Sequence, residues 1–204
     1  MARLVLFCCI VGPFFALLSA CRTDKGQAVI LHTGKGDIHV LLSGQTPEHC
    51  ADFIAALQLP RKDSLTFYHI ERDFAIHFGS GAAADSLRYA GALEFEAGDL
   101  PLGGSLASVA LEPGKRSESG NYFLILDRPQ TDASLDALEK KTGRTFSPAE
   151  RSAYKKYGGL PQLQGQVTVF GRVTEGLDVA QSIAAMPRDA MGRPLERVAV
   201  WIEK

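Results

Sequence analysis

The stretch TFYHIERDFAIHFGSG, Thr66 to Gly81, gathers residue types that could do chemistry: His69 and His77, Arg72 between them, and aromatics running into small residues. Such a run could ligate zinc, supply a proton donor or line a groove. A zinc site needs three or four ligands. His32, His39 and His49 are scattered along the chain and supply none at a recognisable spacing. Nucleophilic chemistry fits no better. Ser117 and Ser119 lie near Gly120 without the Gly-x-Ser-x-Gly elbow that sits between a strand and a helix. Cys50 directly follows His49 in the helical segment TPEHCADFIAAL. Adjacent helix positions do not face each other, so Cys50 reads as a structural thiol.

These residues need a frame. QAVILHT and DIHVLLS alternate apolar and polar residues around Gly34-Lys35-Gly36, the pattern of a β-hairpin. Thr46-Pro47-Glu48 opens a helix with Thr as N-cap and Pro at the first helical position. Ala51, Phe53, Ile54 and Leu57 give it one apolar face. Further short strands are expected at SLTFYHI, ALEFE, SLASVALE, NYFLILD, VTVFGRV and RVAVWIE. Within them Glu94 and Glu96 read as a solvent face and Trp201 as core. The pattern predicts a mainly β domain, barrel or sandwich. Residues 130–159 break the rhythm with charged, helical sequence. Ser147 and Glu150 form an expected capping box there, and Gly158-Gly159 an expected stop. The stretch reads as a helical insertion too short for its own core.

The chain has 204 residues, with 22 Lys and Arg against 23 Asp and Glu, a net charge of −1. That length supports one sizeable core. No basic run points to nucleic acid, and no basic amphipathic helix points to a membrane surface. Residues 1–20 differ: Arg3 precedes an apolar run from Leu4 to Leu18, too short to span a bilayer and suited to a signal peptide. Leu18-Ser19-Ala20-Cys21 resembles the bacterial lipobox, which implies cleavage before Cys21 and its acylation, palmitate included. Several chains on one cysteine anchor firmly where one does so marginally. Residues 21–26 then form a tether and 27–204 the domain. Cys8 and Cys9 leave with the leader and Cys21 carries lipid, so Cys50 has no disulfide partner in the mature chain. The expected location is extracytoplasmic, lipid-anchored in the bacterial envelope. Arg22-Thr23 does not look like an inner-membrane retention signal, which leans to the outer membrane.

Four stretches, in order, resemble the cyclophilin family of peptidyl-prolyl cis-trans isomerases. They are GDIHVLLSGQTPEHCADFIAAL, TFYHIERDFAIHFGSG, SLASVALEPGKRSESGNYFLILD and LPQLQGQVTVFGRVTEGLDVAQSI. The run Gly-x-x-Thr-Val-Phe-Gly-x-Val-x-x-Gly-Leu-Asp-Val in the last is the most specific. Tyr89 and Glu94-Phe95 also fall where the family often has Tyr, then Glu-Phe. The resemblance spans about 27–204, and the insertion looks like one known from extracytoplasmic bacterial members. It implies a closed, mainly antiparallel β-barrel capped by two helices, with the insertion at 130–159.

The family's chemistry needs neither metal nor cofactor. An X–Pro amide rotates over a barrier of about 20 kcal/mol. A dry apolar pocket and a donor aimed at the prolyl nitrogen lower it. Family members are held to use an arginine as that donor. Counting back without a gap from Phe74 puts His69 at its position; sliding by one puts Ile70 there. Arg72, three residues on, is a second candidate substitute. Phe74 matches the pocket phenylalanine, while Ala75 replaces a methionine and His77 a glutamine. Ala110 and Leu111 fall on the segment that offers its backbone to the peptide. Tyr122 replaces a second glutamine, Leu124 a pocket phenylalanine, Gln162 a frequent tryptophan, and Val167 a pocket histidine; Leu163 keeps the family's leucine. The resemblance implies an isomerase assisting the folding of exported proteins, weakened by the missing arginine. The alternative is an inactive cyclophilin-fold module that binds peptide. Expected partners are proline-containing segments of envelope proteins and the membrane through the lipid, with the protein itself a monomer.

Overall fold

The computed structural model describes residues 26–57, 65–79, 93–94, 99–112, 116–126 and 128–203. The proposed leader, Cys21 and the tether as far as Lys25 lie outside them. So do Tyr89, Phe95, Glu96 and most of the strand expected at ALEFE, of which Leu93 and Glu94 are described outside any strand.

Eight strands close into an antiparallel barrel in the order β1-β2-β7-β5-β6-β4-β3-β8. β1 (Gln27–Thr33) and β2 (Gly36–Leu42) form the first hairpin, and Val29, Leu31, Ile38, Val40 and Leu42 alternate inward. β3 (Thr66–Glu71) and β4 (Ala75–Gly79) form the second hairpin, and β5 (Ser105–Glu112) and β6 (Arg116–Ile125) the third. β7 (Val169–Glu175) bridges β2 and β5; β8 (Val198–Glu203) closes the ring between β1 and β3. Two helices cap the interior. α1 (Pro47–Leu57) drives Phe53 against Tyr122 and Phe78, and α4 (Leu177–Ala184) adds Ala180, Ile183 and Ala184.

Trp201 is not core. Val198 and Val200 point inward, so strand parity turns Trp201 outward, half exposed and stacked 5.7 Å from His32. Cys50 is half-buried and its thiol donates to the Ser43 carbonyl at 3.1 Å.

Two helices occupy the insertion, α2 (Asp132–Thr142) and α3 (Pro148–Tyr157), each with a capping box, Thr131/Ser134 and Ser147/Glu150. They share a small core of Leu135, Phe146 and Tyr154 that leans on Leu100 and Leu102. At the return, Gly159 has φ +124°, and a Cβ there would stand 2.3 Å from the Pro101 carbonyl oxygen. Only glycine lets the chain pass so close. That passage lays the 3-10 turn Pro161–Leu163 beside the barrel wall.

Candidate functional site

The β3–β4 hairpin builds the site. Asp73 turns the chain with φ +60°, a conformation Asp tolerates better than most residues, and its carboxylate accepts from Arg128 at 2.7 Å. An irregularity between Phe67 and His69 interrupts the ladder. Its consequence is a change of phase: Phe67 and Ile70 both enter the interior core, while Tyr68 and His69 both stay out of it. A bulge re-aims side chains in this way. Past it, His69 sits directly across from His77, with ring centroids 5.3 Å apart at 73°.

β4 alternates cleanly. Ile76 and Phe78 join the interior, whereas Ala75 joins a second apolar cluster on the outer face. That cluster contains Ala107, Phe123, Ile125, Leu160 and Val167, with Phe74, Leu163 and Val169 packed against it. His77 pairs across to Phe123 on β6 and stacks on its ring at 5.4 Å and 23°. The result is an apolar wall, Phe74 to Val167, adjoining a pair of imidazoles.

Phe74, Ala75, Leu163 and Val167 thus come together as the sequence suggested, and His69 and His77 stand beside them. Gln162 is half-buried in the 3-10 turn, its carbonyl accepting from Gln166 at 2.7 Å. Ala110 and Leu111 lie in β5, with their side chains outside the described residues. Tyr122 and Leu124 are a correction: both face the barrel interior, and Phe123 and Ile125 take the outer wall. The Tyr122 hydroxyl donates to Asp52 at 3.2 Å, and burial pushes its phenol well above the usual range. Ile70, the alternative occupant of the arginine position, is interior core. Arg72 turns away from the wall and donates to the Ala185 carbonyl at the end of α4, at 3.3 Å.

Sequence reasoning missed Phe123, Ile125 and Leu160 on the wall, and Glu71 and Gly192 beside the imidazoles. Glu71 Oε1 stands 3.3 Å from His69 Nε2 and 3.5 Å from His77 Nε2. Spacing held a clue, since residues i and i+2 share a strand face. His77 Nε2 is shut away from solvent without a well-aligned hydrogen bond. Burial, helped by the neighbouring His69 and opposed by Glu71, lowers the His77 pKa to about 4. His77 is therefore neutral at physiological pH and belongs electrically with the apolar wall. His69 remains about one-third exposed.

Among the described residues no group of three His, Cys, Asp or Glu side chains is arranged to hold a metal ion. Two concavities lie elsewhere, on either side of Tyr157: one of about 620 Å³ by Leu41, Leu102 and Arg172, another of about 530 Å³ by Arg72, Arg128 and Gln181. Neither includes a residue of the imidazole face, and of the outer cluster only Val169 borders one of them, the first. Among the described residues, no helix is long and apolar enough to cross a membrane.

Residues 28–202 match the family described as "Cyclophilin type peptidyl-prolyl cis-trans isomerase/CLD". A Staphylococcus aureus (strain COL) protein called "Putative peptidyl-prolyl cis-trans isomerase" is 27% identical over 179 residues, covering 84% of this chain and 88% of its own. A Staphylococcus haemolyticus protein of the same name is 26% identical over 184 residues, 87% of this chain and 90% of its own. The crystal structure of a Cryptosporidium parvum cyclophilin type peptidyl-prolyl cis-trans isomerase superposes with a TM-score of 0.64 at 17% identity, covering 88% of this chain and 98% of that one. The same enzyme in the presence of the dipeptide Ala-Pro gives 0.63 at 18% identity, over 87% and 99%.

Proposed function

Because the chain belongs to the cyclophilin-type peptidyl-prolyl cis-trans isomerase family, we propose that it turns over X–Pro bonds of exported proteins on the β4–β6 face, with His69 in place of the family's arginine and a correspondingly weaker rate. The observation that carries this reading is the apolar wall of Phe74, Ala75, Phe123, Ile125, Leu160, Leu163 and Val167 meeting the His69–His77 pair at its edge.

Rotation about an X–Pro amide costs about 20 kcal/mol because resonance must be broken. The twisted amide is less dipolar than the planar one, so a dry wall favours it. The proline ring lies against Phe74 and Phe123, with neutral His77 extending that surface. As resonance fades, a lone pair localises on the prolyl nitrogen, and an N–H aimed at it stabilises the transition state alone. At this edge His69 is a donor with solvent access. A neutral imidazole offers one N–H where guanidinium offers five and a permanent charge. That difference accounts for a weakened enzyme. Location completes the reading: acylation at Cys21 holds the domain at the envelope, outer membrane rather than inner, where exported chains fold.

A second reading, a peptide-binding module without turnover, is favoured by one observation. His69 Nε2 faces Glu71 at 3.3 Å, and the other ring nitrogen is packed against Gly192. Cis/trans exchange of a short X–Pro peptide, followed by NMR with the full chain in mild detergent, separates the two. The isomerase reading expects exchange above background, loss in His69→Ala and a gain of about tenfold in His69→Arg from a charge-assisted donor. A silent native protein whose His69→Arg variant gains activity establishes the binding module instead.

A further inference from the structure

Glu71 stands on the outer face of β3 two residues beyond His69, its carboxylate oxygen Oε1 within 3.3 Å of His69 Nε2 and 3.5 Å of His77 Nε2. The Cε1–Nδ1 edge of the His69 ring is closed by the loop from Pro187 to Pro194. A Cβ on Gly192 would stand 2.6 Å from His69 Cε1 and 2.8 Å from Nδ1, so the glycine backbone lies directly on the imidazole. That loop is well tied. The Ile70 N–H donates to the Gly192 carbonyl at 2.7 Å, and Asp189 Oδ1 accepts from the N–H groups of Met191 and Arg193, each at 2.8 Å. The imidazole is therefore held from both sides, its Nδ1 edge on a fixed backbone and its Nε2 edge on a carboxylate.

A neutral imidazole carries a single N–H, and a hydrogen bond made by one ring nitrogen sets the tautomer. An ionised carboxylate only accepts, so the proton belongs on Nε2, where Glu71 takes it. A prolyl nitrogen in the groove asks for the same hydrogen. His77 does not relieve this competition, because it is neutral and its Nε2 is sealed from solvent. The neighbouring charges are engaged elsewhere: Arg72 with the Ala185 carbonyl and Asp73 with Arg128. We infer that Glu71 is a positioning residue of this site, selecting the Nε2–H tautomer of His69 and holding that hydrogen away from the bound prolyl amide, so that the contact between Glu71 and His69 restrains turnover. The inference rests on the reading of His69 as the donor.

Two measurements on the full chain in mild detergent test it. Long-range proton–nitrogen NMR on histidine-labelled protein, at a pH where imidazole is neutral, reads the tautomer. The native His69 is expected as Nε2–H, and Glu71→Ala is expected to move it toward a mixture. X–Pro exchange reads the restraint: Glu71→Ala is expected to raise the rate about threefold to tenfold, chiefly in kcat. Glu71→Gln keeps an accepting oxygen and is expected to stay within about twofold of native. An Nδ1–H tautomer in the native protein overturns the inference. So does a rate that falls or stays unchanged in Glu71→Ala while His69→Ala abolishes it. Native activity that survives His69→Ala overturns the donor reading itself, and the inference with it. Should the native protein be silent, activity gained in Glu71→Ala supports the restraint and continued silence overturns it.

Discussion

His49 and Glu94 meet at 2.5 Å where α1 begins, whereas His69 and Glu71 stand 3.3 Å apart on the outer face of β3. The chemistry is the same and the surroundings are opposite. Glu94 also accepts from the backbone N–H groups of Glu48 and His49, at 3.2 and 2.9 Å, while its own N–H donates to the buried Thr168 hydroxyl at 2.9 Å. It thus covers two of the first-turn donors that a helix cannot satisfy internally, and its charge suits the helix N-terminus. His49 is only 5% exposed and Glu94 18%, against 34% and 45% for His69 and Glu71. A histidine–glutamate pair enclosed by backbone donors belongs to the architecture. One left at a rim, joined by a 3.3 Å contact and partly open to solvent, is placed to serve a ligand.

The largest expected effect sharpens that contrast. Glu94→Ala removes the carboxylate from the buried His49 imidazole and from the two helix N–H groups it accepts from, and breaking such a largely buried pair costs about 3 kcal/mol. Urea unfolding of the variant is expected to show that loss with an unchanged m-value. A cost below about 1 kcal/mol would place the Glu94 pair in the same class as the surface one and remove the distinction.

Glu94 also shows where sequence runs short. Its alternation with Leu93 and Phe95 reads as a solvent face, but the partners that bury it, His49 and Thr168, are 45 and 74 residues away in the chain. Local pattern does not report such contacts. The barrel is legible because β1, β2 and β8 alternate, and α3 is legible from its capping box and the glycines that end it, whereas no strand is expected at β4. The outer wall is half legible. Phe74, Ala75, Leu163 and Val167 follow from the matched motifs, but Tyr-Phe-Leu-Ile in β6 is apolar at every position and buried on both faces. The motif match sets Tyr122 and Leu124 on the groove, one residue out of phase, and period-two reasoning does not correct it because it assigns no face to such a run. Trp201 errs in the other direction, its aromaticity outweighing the parity of Val198 and Val200. The bulge that frees His69 leaves no mark in composition.

An intermediate effect lies between the two pairs, at His77. Its folded pKa of about 4 lies below the unfolded value of 6.5. The native state therefore resists the proton that the unfolded chain accepts, and stability falls as pH drops from about 6.5 toward 4. Between pH 7 and 5 this contributes a loss of about 2 kcal/mol, since each tenfold difference in proton affinity between the two states is worth about 1.4 kcal/mol. His77→Gln, a neutral side chain of similar reach, is expected to flatten that part of the stability profile. Parallel pH profiles for the two proteins would show instead that His77 takes its proton as readily folded as unfolded, and that the wall is wetter than its packing indicates.

The smallest expected effect on stability falls at the surface pair, where it carries the most functional information. Glu71 is nearly half exposed and His69 one-third, with one contact of 3.3 Å between them. Exposed pairs of this kind contribute between 0 and about 1 kcal/mol, so Glu71→Ala is expected to lower unfolding stability by less than about 0.5 kcal/mol. His69→Ala adds the loss of ring packing on Gly192 and is expected to stay below about 1 kcal/mol. Exchange rates, by contrast, are expected to move in opposite directions in the two variants. If both variants unfold as easily as Glu94→Ala, the rim pair is structural like the helix clamp, and the difference in burial does not separate their roles. If stability holds while the rates diverge, the two carboxylates have separate roles: Glu94 keeps α1 in place, and Glu71 governs what His69 can offer a proline.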